Sequence, residues 1–132
     1  MKLNLQGGKM ESKYGFIMCV CTGKCPGFSK MDMWDFVNRI RVELPVEYAF
    51  IHPQLCEEDG DRFLHDFLQA KRKVIIGACA ISMQKKLFRD AFNKAGLSVE
   101  TDLIALDVRD MTTNEAFDKV AHIVESIEKG VK

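Results

Sequence analysis

The chain has 132 residues, 47% of them hydrophobic and 29% charged, and its 19 basic and 19 acidic side chains give a formal net charge of zero. That is the length of one domain with room for a buried core, and the composition excludes disorder as the main state. The charge balance offers no electrostatic reason to expect nucleic acid or an anionic membrane surface as the main partner.

Residues 1–13 read as a flexible lead-in, with Gly7-Gly8 and little apolar content. No signal-peptide stretch occurs there, and the longest apolar run, at 74–81, is too short for a membrane span. The expectation is a soluble, cytoplasmic protein without membrane insertion, folded as a single domain over 14–132.

From Tyr14 onward, short apolar runs alternate with amphipathic stretches. Residues 14–20 (Tyr-Gly-Phe-Ile-Met-Cys-Val) form a continuous apolar run, as a strand buried on both faces does. Ser29-Lys-Met-Asp32 resembles a capping box. Trp34, Val37, Ile40 or Arg41, and Leu44 then recur at helical spacing up to Pro45, with Trp34 expected in the core. Residues 48–51 predict a second strand, with Pro53 in the turn beyond. Phe63, Leu64, Phe67 and Leu68 predict one face of a second helix, whose acidic first turn (Glu57, Glu58, Asp59) suits the helix dipole. Residues 73–78 hold the clearest buried strand, Val74-Ile75-Ile76. Met83, Leu87, Phe88, Ala91 and Phe92 mark a third helix, closed by Gly96. Residues 103–106 predict a fourth strand. Thr112-Thr-Asn-Glu115 is a capping box for a last helix, with Phe117, Val120, Val124 and Ile127 on its buried stripe.

The order β-α-β-α-β-α-β-α predicts an α/β fold: a four-stranded parallel sheet, doubly wound into a three-layer sandwich of flavodoxin or Rossmann type. In such sheets ligands sit beyond the carboxyl ends of the strands. All five cysteines fall at that edge. Cys19 and Cys21 end the first strand, Cys25 follows in its loop, Cys56 lies between the second strand and second helix, and Cys79 enters the third helix. If the first strand lies between the second and third, the three loops are neighbours and the thiols converge.

An odd cysteine count without a secretion signal argues against a disulfide framework. Convergent thiolates favour zinc or an iron–sulfur cluster over other metals, and the helix dipole is expected to lower the thiol pKa of Cys56 and Cys79. The expected metal ligands are Cys21, Cys25, Cys56 and Cys79. Cys19, inside the apolar run, is either a further cofactor ligand or a small packed side chain. Cys19 and Cys21 are expected to point opposite ways along an extended segment.

Four segments in order carry a resemblance: Gly-Phe-Ile-Met-Cys-Val-Cys (15–21), Leu-Cys-Glu-Glu-Asp-Gly (55–60), Gly-Ala-Cys-Ala (77–80) with Leu-Phe-Arg-Asp (87–90) and Ala-Gly-Leu (95–97), and Asp-Val-Arg-Asp (107–110). Together they resemble the N-terminal domain of the A subunit of heterodisulfide reductase, over nearly the whole chain from Tyr14. The resemblance implies an iron–sulfur cluster, expected to be of the 4Fe–4S kind, that relays electrons to flavin- or ferredoxin-type redox subunits. It matches Cys19 and Cys21 to the family's C-x-C, and Cys56 and Cys79 to its two single-cysteine sites. The chain departs from the family in three ways. No cysteine follows 107–110, the segment after Cys79 reads Ala-Ile-Ser, and Cys25 is extra. The reading beside it is a zinc domain or a thiol–disulfide protein using the same cysteines.

Other residues receive lesser roles. Arg109 is either a solvated loop residue or a charge partner for an anionic cluster or ligand. His52, close to Cys56 in sequence, reads as a surface or loop-bonded imidazole, with a substitute metal ligand as the alternative, and His65 and His122 read as structural. The run Lys71-Arg72-Lys73 suits a helix C-terminus. Asp59, Asp61, Asp107 and Asp110 lie near the ligand edge as solvated carboxylates. No catalytic set of residues is apparent.

Overall fold

A computed structural model describes residues 14–21, 26–70 and 73–128. The lead-in at 1–13, Cys25, and Lys71 and Arg72 lie outside the described residues. The elements are β1 (Gly15–Cys19), α1 (Met33–Glu43), β2 (Ala49–His52), α2 (Glu58–Ala70), β3 (Val74–Ala78), α3 (Ile81–Lys94), β4 (Leu103–Asp107) and α4 (Thr113–Glu128), with a 3-10 turn at Pro26–Phe28.

The sheet is parallel throughout, in the order β2-β1-β3-β4. Helices cover both faces, so the expected doubly wound three-layer sandwich is the fold. Both central strands, β1 and β3, are buried along their whole length, which is why their sequences are unbroken apolar runs. On one face Phe16, Met18 and Ile75 meet Phe36, Val37 and Ile40 of α1 and Val120 and Val124 of α4. On the other, Ile17, Cys19, Val74 and Ile76 meet Leu64 and Leu68 of α2 and Phe88 and Phe92 of α3. No helix among the described residues is long and apolar enough to cross a membrane.

The helix ends follow local chemistry. Thr112 and Glu115 close the expected capping box on α4: the Glu115 N–H donates to Thr112 Oγ1 at 3.2 Å, and the Thr112 N–H to Glu115 Oε1 at 2.9 Å. At the end of α3, Gly96 adopts φ 78°. That turn lets the Leu97 N–H reach the Phe92 carbonyl at 2.8 Å and the Gly96 N–H reach Asn93 at 3.0 Å.

Two expectations need correction. The N-cap of α1 is Asp32, whose Oδ1 accepts the Asp35 N–H at 3.0 Å, rather than Ser29 three residues earlier. Trp34 is 75% exposed instead of in the core. The stripe α1 buries is Phe36, Val37 and Ile40, and Trp34 precedes Phe36 by two residues, roughly 200° around the helix. On α3, Met83 and Leu87 lie on the surface. The buried stripe is Gln84, Phe88, Ala91 and Phe92, so each of those two stands one residue, roughly 100°, off it.

Candidate functional site

The order β2-β1-β3 brings the loops after the first three strands together at the carboxyl edge, where the chain leaves β1 in one direction and reaches β3 in the other. Cys19 is the last residue of β1 and is buried. Its sulfur faces the α2–α3 layer and accepts the Leu55 N–H at 3.2 Å. Cys21 does not continue the strand. It turns into the left-handed region with φ 53° and is exposed, which corrects the expectation of an extended segment with alternating cysteines. A non-glycine residue there carries backbone strain. Cys56 is exposed on the loop into α2, and Cys79, one residue past β3, is half-buried. The thiols are electrostatic neighbours: charge on Cys21 or Cys56 opposes ionisation of both Cys19 and Cys79.

Burial pushes the Cys19 thiol up, against the lowering effect of the Leu55 N–H. Cys79 is also raised. Its burial outweighs a hydrogen bond from its own backbone and the charge of Arg109, both of which lower it. The helix-dipole expectation for Cys79 is therefore corrected, because desolvation is the larger effect. The N-cap of α3 is Ala80, which offers no side-chain cap.

Two polar residues frame Cys79. Gln84 is fully buried, and its Nε2 donates to the Cys79 carbonyl at 2.9 Å and the Leu106 carbonyl at 3.0 Å. It thereby ties the ends of β3 and β4 to the first turn of α3. Its Oε1 is buried without a partner among the described residues. The sequence reading missed this residue. The signal was a polar side chain in phase with Phe88, Ala91 and Phe92.

Arg109 follows β4. Its Nε and one terminal nitrogen grip Asp107 at 3.0 and 2.7 Å, which holds the Asp107 carboxyl below its ordinary range and raises the guanidinium further. The turn at Pro26–Phe28 closes over this pair: a Cβ on Gly27 would sit 2.9 Å from Arg109 Cγ, and the Asp110 N–H donates to the Gly27 carbonyl. Arg109 is thus an ion-paired residue that also acts on Cys79.

His52 is a loop-bonded imidazole, as expected. Its Nδ1 accepts the Gln54 N–H at 3.0 Å and its ring stacks on Phe63 at 5.6 Å. His65 lies within α2 beside Asp66, and His122 lies within α4. Among the described residues, no three His, Cys, Asp or Glu side chains are grouped closely enough to hold a metal ion. Compared with known proteins, the chain matches no family model and no curated protein.

Proposed function

We propose that the chain is an iron–sulfur electron-transfer module of a heterodisulfide-reductase-like redox complex, working with flavin- or ferredoxin-type partner subunits. The observation that carries this reading is the gathering of thiols from three separate loops at one sheet edge, with Cys21, Cys56 and Cys79 ahead of a buried Cys19.

The donor chemistry fits such a cluster, since soft thiolates are what iron–sulfur centres take. Cys21, Cys25, Cys56 and Cys79 would hold it. Cys19 stands apart, its sulfur already engaged by Leu55. The described thiols are not grouped closely enough to ligate an ion as they stand, so loading requires the loop side chains to turn toward one another. A bound cluster would supply one-electron relay chemistry. The protein supplies the thiolates and, through Arg109, a positive charge beside Cys79.

The test is anaerobic purification and reconstitution with iron and sulfide, followed by visible absorption and by iron, sulfide and zinc analysis of the same sample. A brown protein that bleaches on reduction, and that loses its colour on Cys→Ser change at 21, 56 or 79, supports the reading. Colourless protein with stoichiometric zinc replaces it with a zinc domain on the same thiols. A metal-free protein that cycles between dithiol and disulfide replaces it with thiol redox chemistry.

A further inference from the structure

The two edges of the sheet are treated differently. On β4, residues face alternately toward β3 and away from it, and the Val74 N–H donating to the Asp102 carbonyl fixes the phase. Leu103, Ala105 and Asp107 therefore face outward. That edge is guarded: Lys119 Nζ takes the Asp107 carbonyl at 3.1 Å, and Asp107 carries the Arg109 ion pair.

Among the described residues the edge at β2 has no such guard. Phe16 and Val20 donate to the carbonyls of Tyr48 and His52, so the N–H and C=O groups of Ala49 and Ile51 face away from β1, which is the one ladder neighbour of β2 among the described residues. Between Tyr48 and His52 the sequence is Tyr-Ala-Phe-Ile-His, with no lysine, carboxylate or proline. Those are among the devices that keep an edge strand from pairing; around this short, four-residue strand a carboxylate and a proline stand just outside, at Glu47 and Pro53, and leave Ala49 and Ile51 between them. Every residue of β2 is half-buried. Beside it stands a half-buried aromatic group in which Phe50 meets Tyr48, Phe63 and Phe67 at 5.7, 5.7 and 5.9 Å.

We propose that this edge pairs with the β2 edge of a second copy of the chain, antiparallel about a two-fold axis, to make one continuous eight-stranded sheet. The strand is complementary to itself in one register. Placing Ala49 opposite the other copy's Ile51 lets the two outward-facing residues of each strand exchange both ladder hydrogen bonds. The same register sets Phe50 on the axis against its own copy and Tyr48 opposite the other copy's His52, all on the α2 side of the sheet. Aromatic cross-strand pairs of this kind stabilise antiparallel ladders. The interface is isologous, so it closes at two copies, and a chain of zero net charge does not repel its own copy.

The test is sedimentation of the reduced protein from about one micromolar to about one millimolar, with amide hydrogen exchange at both ends of that range. Dimers at high concentration, with the Ala49 and Ile51 amides protected there and exchanging freely on dilution, support the proposal. Ala49→Lys sets a charge beside the outward-facing backbone of both copies, from a half-buried position against the α1 side of the core, and should weaken the dimer about a hundredfold, tenfold for each copy. A chain that stays monomeric throughout overturns the proposal. So does a dimer with unchanged exchange at 49 and 51, or an assembly that grows beyond two copies. The exchange comparison uses the unaltered chain, so it decides the matter even if Ala49→Lys folds poorly.

Discussion

Replacing Gly60 with alanine sets two effects of opposite sign against each other at the entrance to the thiol edge. Gly60 lies in the first turn of α2 and is buried. Alanine is the better helix former by about 1 kcal/mol, so on propensity alone Gly60→Ala should stabilise. The space forbids it. A Cβ at 60 would stand 2.3 Å from the Leu55 carbonyl oxygen and 2.5 Å from its carbonyl carbon and Cα. The obstacle is backbone, so relief requires α2 and the loop before it to separate by about 1 Å, at an overpacking cost near the upper end of the usual range, about 3 kcal/mol. The net expectation is a loss of about 2 kcal/mol, a fall in melting temperature of roughly 6–10 °C for a domain this size. The damage should also be local. The Leu55 N–H is the hydrogen bond to Cys19 Sγ, so in the variant Cys19 should be alkylated faster under native conditions. Urea unfolding followed by circular dichroism, with mass-spectrometric mapping of alkylated cysteines, measures both effects. A variant as stable as the parent or more so, with Cys19 as protected as before, would refute the reasoning, because propensity would then have outweighed the close approach.

Gln84→Leu leaves the Cys79 and Leu106 carbonyls without their shared donor while removing an unpartnered oxygen and adding apolar burial. A net loss of roughly 1–3 kcal/mol in urea unfolding is expected, and a neutral result would mean water replaces the amide. Arg109→Gln removes a charge that lowers the Cys79 thiol. Its iodoacetamide reaction at mildly alkaline pH should slow several-fold, and Arg109→Lys should keep most of the rate; equal rates for all three proteins would separate Arg109 from Cys79. Tyr14 and Tyr48 are the only tyrosines, and burial raises both above their ordinary value, with the Glu128 hydrogen bond adding to Tyr14. The folded state therefore binds these protons more tightly than the unfolded chain. Stability should hold up to about pH 10 and decline above it, and phenolate absorbance should rise together with loss of helix signal. Phenolate appearing near pH 10 in a fully folded chain would show that the phenols are open to water.

The architecture could be read from the sequence because its strongest signals are local and agree with one another. β1 and β3 are unbroken apolar runs because helices cover both of their faces, and Thr112 with Glu115 announces α4 because both partners of that cap lie within one turn. The misplacement is an error of phase. Trp34 is apolar and lies on a helix, which predicts it in the core, yet it is exposed, as are Met83 and Leu87 on α3. Burial follows the angle at which a side chain leaves the axis. Gln84 shows the converse: a polar side chain stands in the buried stripe because two strand-end carbonyls at the sheet's carboxyl edge need a donor.

The thiol site was harder to read, because its chemistry depends on how much water each sulfur keeps. Sequence position places Cys79 at a helix entrance, where the dipole favours the thiolate. The fold also half-buries it between β3 and α3, and desolvation of an anion is the larger effect. Arg109 and Gln84 come from a neighbouring strand end and the following helix. One adds charge beside Cys79 and the other fixes its backbone, and neither is adjacent to it in sequence. A thiol raised in this way favours its protonated form until a cation or a metal offsets the lost hydration. Under the cluster reading proposed above, ligation at Cys79 would have to displace that proton, with the bound ion supplying the charge that burial withholds.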